Sequence, residues 1–231
     1  MKILITGADG FIGKNLIIAL QSRGYHELMM LEADAPADVM ERYCAECGFV
    51  YHLAGTNRTR QQDETMQGGF NFTDTLLRQL NKHKNRCPVM FASSTQAALP
   101  NLYGRSKKAG EELLELYAQE TGAKVYVYRL PHVFGKWAKP NHNSVIATFC
   151  YNVSHDLPIV IHDENTVMHL AYIDDVAESL CDLLDGKTTK EGAYCSVLQS
   201  YHATLGEIAK QIRSFRNIRE SNLLPDMSEQ L

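Results

Sequence analysis

Basic residues are not in excess in this sequence. Lys and Arg number 23 against 27 Asp and Glu, a net charge of −4, and they are dispersed rather than striped. That speaks against nucleic acid or an anionic membrane surface as a partner. No apolar run approaches the ~20 residues that a bilayer-spanning helix needs. The opening run Met1–Thr6 breaks at Gly7, too early for a signal peptide, and reads as a strand. The six cysteines (Cys44, Cys47, Cys87, Cys150, Cys181, Cys195) follow no framework of spacings. The one C-x-x-C, Cys44 to Cys47, has no second pair, and it reads as the exposed end of a helix in a reducing cytosol. Nine histidines include no H-E-x-x-H, so no catalytic metal is expected. Internal repeats and low-complexity segments are also missing.

What is present is 45% hydrophobic content over 231 residues, enough for one sizeable core or for a domain with a smaller lobe. Lys2–Thr6 is β-branched and apolar, and Gly7-Ala8-Asp9-Gly10-Phe11-Ile12-Gly13 follows it directly, with Leu16, Ile17 and Leu20 at helical spacing. Strand, glycine turn and helix together point to a dinucleotide site. Gly7 permits the tight turn, Gly10 lets backbone approach a pyrophosphate, and Gly13 lets the helix pack closely on the strand. The helix N-terminus offers N–H groups to the phosphates. A second strand, His26–Leu31, ends at Glu32, an acidic residue placed to accept hydrogen bonds from an adenosine ribose. Glu32 would repel a 2′-phosphate, and no Arg or Lys lies in Ala33–Asp38 to offset it, which favours NAD(H) over NADP(H).

The alternation continues. Ala37–Glu46 reads as a helix, and Gly48–Gly55 as a strand ending in small residues that let a flat ring lie against the backbone. Gln61–Lys82 reads as a helix with Asn71 near its middle, Pro88–Ala92 as a strand running into Ser93-Ser94-Thr95, and Lys124–Leu130 as a fifth strand. Hydroxyls at the carboxyl end of a parallel strand lie where doubly wound sheets bind ligands. The pattern over residues 1–130 predicts an α/β fold with a doubly wound parallel sheet covered on both faces. Between the last two strands, Tyr103-Gly104-Arg105-Ser106-Lys107 opens a helix, with Pro100 and Asn101 as start signals and Gly122 as the stop. A spacing of four stacks the phenol and the ammonium on one face. A free phenol titrates near ~10, and a cation beside it favours the phenolate.

Past Pro131 the regularity fails. Val145–Val153 is a helical run, and Pro158–His162 and Val167–Ile173 read as two strands. Asp174–Glu178 starts a helix with carboxylates at its positive end, and Ala193–Leu198 is a further strand. Thr204–Glu207 has capping-box spacing for a helix through about Phe215. Residues 131–231 thus read as a smaller substrate-binding lobe over the sheet's ligand-binding edge.

Taken jointly, the Gly7, Gly10 and Gly13 turn, the serine-bearing strand end, Tyr103-x-x-x-Lys107 and Ala171-Tyr172-Ile173-Asp174-Asp175-Val176-Ala177 resemble the extended short-chain dehydrogenases/reductases. This is the Rossmann-fold family of NAD-dependent nucleotide-sugar epimerases, dehydratases and reductases. His52-Leu53-Ala54-Gly55-x-Asn57-Arg58 and the run from Phe134 through Asn143-Ser144 to Tyr151 are similar to the CapF-type capsular-polysaccharide reductases. Those enzymes reduce the 4-keto group of a UDP-2-acetamido-2,6-dideoxy sugar on the way to UDP-N-acetyl-L-fucosamine. Two departures stand out. CapF-type enzymes carry a C-terminal cupin domain, whereas this chain stops at Leu231, its last residues reading as a segment that leads onward. A longer protein cut short and a single-domain reductase both fit. Those relatives also favour NADPH, whereas Glu32 points to NADH.

The resemblance implies roles residue by residue. Gly7, Gly10, Phe11, Ile12 and Gly13 would hold the dinucleotide phosphates, Glu32 the ribose, and Leu53, Ala54 and Gly55 the nicotinamide side. Lys107 would bind the nicotinamide ribose and acidify Tyr103, the proton donor, while Ser94 (rather than Thr95) would stabilise the oxyanion. Asn71 matches the helix Asn that steadies the proton-relay region. Asn143, Ser144 and Arg58 are candidates for the UDP-sugar. A cytoplasmic homodimer is implied as well. Thr95-Gln96 stands where a dehydratase carries an acidic pair, which disfavours water elimination. A 4-epimerase would use the same Ser, Tyr and Lys, and a non-catalytic dinucleotide sensor would have lost the Tyr or the Lys.

Overall fold

The computed structural model describes residues 1–55, 62–142 and 144–221. Two compact units form: Met1–Leu130 with Asp174–Leu198, and Pro131–Ile173 with the segment that begins at Gln199. The first unit alternates strand and helix: β1 (Ile3–Thr6), α1 (Phe11–Ser22), β2 (Leu28–Leu31), α2 (Ala37–Glu46), β3 (Phe49–His52), α3 (Gln62–Lys82), β4 (Val89–Ser94), a 3-10 turn at Thr95–Ala98, α4 (Leu102–Thr121) and β5 (Val125–Leu130). With β8 (Lys190–Glu191) and β9 (Tyr194–Cys195), the strands order as β2-β1-β3-β4-β5-β9-β8. Every neighbouring pair is parallel except β8 with β9. The fold is therefore the doubly wound, Rossmann-like α/β sheet that the alternation predicts.

Helices on both faces explain why β1, β3 and β4 are buried at every position and read as continuous apolar runs rather than alternating ones. Ile3, Leu4, Ile5, Leu76, Leu80, Met90 and Leu114 are fully buried, each contributing roughly 1.5–3 kcal/mol. α4 is bounded as its sequence signals require. The Asn101 side chain accepts the Gly104 N–H (2.7 Å), and Gly122 closes the helix in the left-handed region at φ +73°.

Three expectations are revised. A single lobe over 131–231 does not form, because Asp174–Leu198 rejoins the first unit. There α6 (Ile173–Asp182) takes a hydrogen bond from Tyr51 Oη to the Leu180 carbonyl (2.8 Å) and an ion pair from Arg23 to Asp182 (2.7 Å), and β9 pairs with β5. Cys44 and Cys47 are buried rather than at an exposed helix end, packed with Cys87 (Cys47 Sγ to Cys87 Sγ, 3.7 Å) as small apolar groups. Pro158–His162 is not a strand. Pro158 has no N–H for a ladder, and its carbonyl is taken by the Asn152 side chain (2.9 Å), although Ile159 and Ile161 still pack inward.

The second unit is a three-stranded sheet ordered β10-β7-β6, made of β10 (Tyr201–Thr204), β7 (Val167–Tyr172) and β6 (His132–Phe134). Its core of Phe149, Leu170, Ala203, Ile208 and Ala209 lies against α5 (Val145–Ser154) and α7 (Leu205–Ser221). The capping box forms reciprocally: the Glu207 N–H donates to Thr204 Oγ1 (3.2 Å) and the Thr204 N–H to Glu207 Oε2 (2.7 Å).

Candidate active site

β2 lies beside β1 and β4 beside β3 on the other side, so the connections leaving the carboxyl ends of the neighbouring strands β1 and β3 run in opposite directions. That is the switch point at which doubly wound sheets open a crevice. The chain turns there at Gly7, held at φ +66°, and a Cβ on it would lie 2.8 Å from the Ala54 nitrogen. Only glycine brings the β1 and β3 ends so close. A Cβ on Gly13 would fall 2.4 Å from the Gly7 carbonyl and 2.6 Å from that of Ala8, so α1 rests directly on the turn. Gly10 is the N-cap of α1 and supplies no side-chain cap, and the first turn carries no acidic residue. Its N–H groups and the positive end of the dipole are thus presented at the crevice, with Phe11 and Ile12 half-buried in that turn. Glu32, just past β2, accepts the Asp9 N–H (2.9 Å), which fixes its carboxylate at the rim of the glycine turn. This cradle fits a dinucleotide, with an uncapped helix end for the phosphates.

Behind the crevice lies a chain of contacts that no local pattern announces. Thr6 Oγ1 accepts the Ala54 N–H (3.1 Å) and meets His52 Nδ1 (2.7 Å), while His52 Nε2 meets Thr73 Oγ1 of α3 (2.9 Å). His52 is fully buried. Burial, reinforced by the Lys107 charge, pushes its pKa down to about 3 and keeps the ring neutral. Only its place inside the His52–Arg58 motif could have flagged it.

Ser94 ends β4 and is buried. Its oxygen accepts the Gln96 N–H (3.2 Å) at the start of the 3-10 turn, which leaves the hydroxyl proton to donate elsewhere. Thr95 beside it is exposed. On α4, Lys107 Nζ donates to the Ala92 carbonyl (2.8 Å), lies 5.9 Å from the Tyr103 ring centroid and 5.4 Å from that of Phe91, and would be 2.8 Å from a Cβ on Gly55. One ammonium thus links the ends of β3 and β4 with the phenol one helical turn away. Burial lowers the Lys107 pKa to about 8, with Glu111 acting in the opposite direction. Tyr103 itself is half-buried.

The structure therefore brings Gly7, Gly10, Gly13, Leu53, Ala54, Gly55, Ser94, Tyr103 and Lys107 into one unit around one sheet edge. Asn71 lies on the exposed side of α3, two residues before Thr73. Ser144 caps α5 in the second unit, accepting the Ala147 N–H (3.3 Å). Arg58 and Asn143 lie outside the described residues. Among the described residues no cluster of His, Cys, Asp or Glu could hold a metal, and no helix is long and apolar enough to cross a membrane.

A glycine cradle at the switch point of a parallel sheet, with Ser, Tyr and Lys at the adjoining strand ends, defines a short-chain dehydrogenase/reductase. The profile of the NAD dependent epimerase/dehydratase family matches residues 3–194, and the chain belongs to that family. A Pseudomonas aeruginosa protein, UDP-2-acetamido-2,6-beta-L-arabino-hexul-4-ose reductase, is 38% identical over 221 residues, covering 96% of this chain and 59% of that protein. Capsular polysaccharide assembling protein CapF from Staphylococcus aureus is similar in structure, with a TM-score of 0.90 and 38% identity over 99% of this chain and 62% of that one. The NAD complex of UDP-glucose 4-epimerase from Thermus thermophilus shares the fold, with a TM-score of 0.77 and 24% identity over 93% of this chain and 83% of that one. The chain spans about three-fifths of the length of the first two relatives.

Proposed function

We propose that the chain reduces the 4-keto group of a UDP-2-acetamido-2,6-dideoxyhexose, a step in making a capsular or surface polysaccharide sugar on the route to UDP-N-acetyl-L-fucosamine. The observation that carries this reading is the Lys107 ammonium, bound to the Ala92 carbonyl (2.8 Å) beside both the Tyr103 ring and the Gly55 edge of the crevice. The likeness to the Pseudomonas reductase supplies the substrate class.

A bound reduced dinucleotide supplies the hydride. Gly7, Gly10, Phe11, Ile12 and Gly13 hold its phosphates, and Leu53, Ala54 and Gly55 line the nicotinamide side. Glu32 accepts from the adenosine ribose and disfavours a 2′-phosphate, so NADH is preferred and NADPH is the weaker donor. Charge grows on the ketone oxygen as C4 is reduced. Ser94 donates a hydrogen bond to that oxygen and Tyr103 gives it a proton, contacts that strengthen toward the transition state. Lys107 favours the phenolate left behind and orients the nicotinamide ribose. Asn71 steadies the region of the proton path, and Arg58, Asn143 and Ser144 are the contacts proposed for the UDP-sugar. A cytoplasmic homodimer rests on the resemblance alone.

The test is loss of the reduced-nicotinamide absorbance with a small panel of UDP-4-keto-6-deoxy-HexNAc sugars and either dinucleotide. Net oxidation with a 4-keto sugar is expected. Cofactor that survives purification and turns over with no net oxidation would instead mark a 4-epimerase.

A further inference from the structure

A second charged group lies one helical turn beyond Lys107. Glu111 is buried, 4% exposed, and four residues on along the same face of α4. Its Oε1 accepts from Ser93 Oγ (2.6 Å) and Arg129 Nε (2.8 Å), and its Oε2 from Arg129 Nη2 (2.7 Å), with Lys108 Nζ at 3.5 Å. Ser93 and Arg129 are register partners across β4 and β5. The Arg129 guanidinium lies over the Tyr194 ring of β9 at 3.6 Å. One carboxylate therefore ties the catalytic helix to the carboxyl ends of β4 and β5, and through Arg129 to Tyr194 of β9. A buried ion pair of this kind adds little net stability, so its presence calls for another reason.

We propose that Glu111 is a positioning residue for the Ser94–Tyr103–Lys107 set, clamping α4 to the strand end that carries Ser94 and serving as the counter-charge of Lys107. The clamp and the catalytic lysine grip the same strand. Lys107 holds the Ala92 carbonyl, Glu111 holds the Ser93 hydroxyl, and Ser94 follows directly. A shift of α4 along β4 would therefore misplace phenol, ammonium and hydroxyl together. The groups facing Lys107 are Tyr103 and Glu111 on α4, the buried neutral His52 on β3, and the Phe91 ring and Ala92 carbonyl on β4. Glu111 is the carboxylate of that set, and the Arg129 guanidinium beyond it partly offsets its charge.

The two partners should therefore act on Lys107 with opposite signs. Glu111→Gln leaves the Arg129 charge uncompensated and makes the Lys107 ammonium harder to keep. Arg129→Gln leaves the carboxylate less neutralised and makes it easier. This inference rests on the function proposed above, so the test includes a readout that needs no substrate. The pH dependence of Lys107 acetylation by acetic anhydride is followed by mass spectrometry on the full chain, alongside kcat and KM. Relative to wild type, Glu111→Gln should move the Lys107 titration roughly one unit to lower pH and Arg129→Gln to higher pH. The kcat of Glu111→Gln should fall on the order of tenfold or more with the dinucleotide KM changing less, and Glu111→Asp should restore part of it. Should Glu111→Gln fail to fold, the upward shift in Arg129→Gln carries the test. Unmoved titration in folded variants, or shifts of the same sign in both, would overturn the inference. Absence of reductase activity in the wild type, with the acetylation shifts intact, would sink the proposed reaction and leave the role of Glu111 standing.

Discussion

Lowering the pH should strain the wall of the crevice through a single imidazole. His52 is fully buried between Thr6 and Thr73, and its pKa falls from 6.5 in the unfolded chain to about 3 in the folded one. Between those values the unfolded chain binds a proton that the folded chain refuses, so stability drops as pH falls. The contribution is fully present above about pH 6.5 and is lost progressively toward about pH 3. At about 1.4 kcal/mol per unit, this one group removes about 2 kcal/mol by pH 5 and about 3 kcal/mol by pH 4. That is a sizeable share of the roughly 5–15 kcal/mol typical of a native protein. The assay is urea unfolding followed by far-UV circular dichroism at pH 7, 5 and 4, for wild type and His52→Gln. The variant keeps polar groups toward both threonines but does not titrate. It should begin less stable at pH 7, and its stability should then fall less steeply with acid, because the carboxylates contribute equally to both proteins. Equal slopes would refute the reasoning and show that the ring protonates freely in the fold. The functional consequence is direct: the same imidazole meets the Thr6 hydroxyl that takes the Ala54 N–H.

Other consequences follow from the same geometry. Gly13→Ala puts a Cβ 2.4 Å from one backbone carbonyl and 2.6 Å from another, and neither can move without opening the turn. NADH affinity, read by fluorescence titration, should fall on the order of tenfold or more, since close helix–turn packing is what lets the helix end reach the phosphates. Glu32→Ala removes the carboxylate that accepts the Asp9 N–H, and should narrow the preference for NADH over NADPH in kcat/KM by roughly tenfold. Lys107 is cationic below its pKa of about 8 and neutral above it. Reductase kcat/KM should therefore decline as pH rises through that value, while a flat profile from pH 7 to 9 would argue against a working ammonium there.

Much of the first unit was legible because each of its elements carries a local cause. Apolar runs buried on both faces made β1, β3 and β4, and the Asn101 cap and Gly122 stop bounded α4. Gly7 and Gly13 could be named from spacing since no other residue fits the contacts they make. The misses have a common source in long-range partners. The return of Asp174–Leu198 to the first sheet depends on Tyr51 and Arg23, well over a hundred residues away in the chain. β6, three residues long, and β10, with an intermediate-exposed-buried-intermediate pattern rather than a buried apolar run, are held by pairing with β7. In the site, Tyr103 and Lys107 announce themselves by their spacing of four. His52 and Glu111 look like an ordinary strand histidine and a helix-surface glutamate until Thr73, Ser93 and Arg129 are brought against them.

The central claim is that the Tyr103 phenol, beside the Lys107 ammonium, protonates a sugar ketone. It is tested most directly by single-turnover loss of reduced-nicotinamide absorbance with a UDP-4-keto-6-deoxy-HexNAc, comparing wild type with Tyr103→Phe. The account predicts a rate constant lower by roughly 10²-fold or more in the variant with dinucleotide affinity little changed. An unaltered rate in a variant that binds the dinucleotide normally would contradict it.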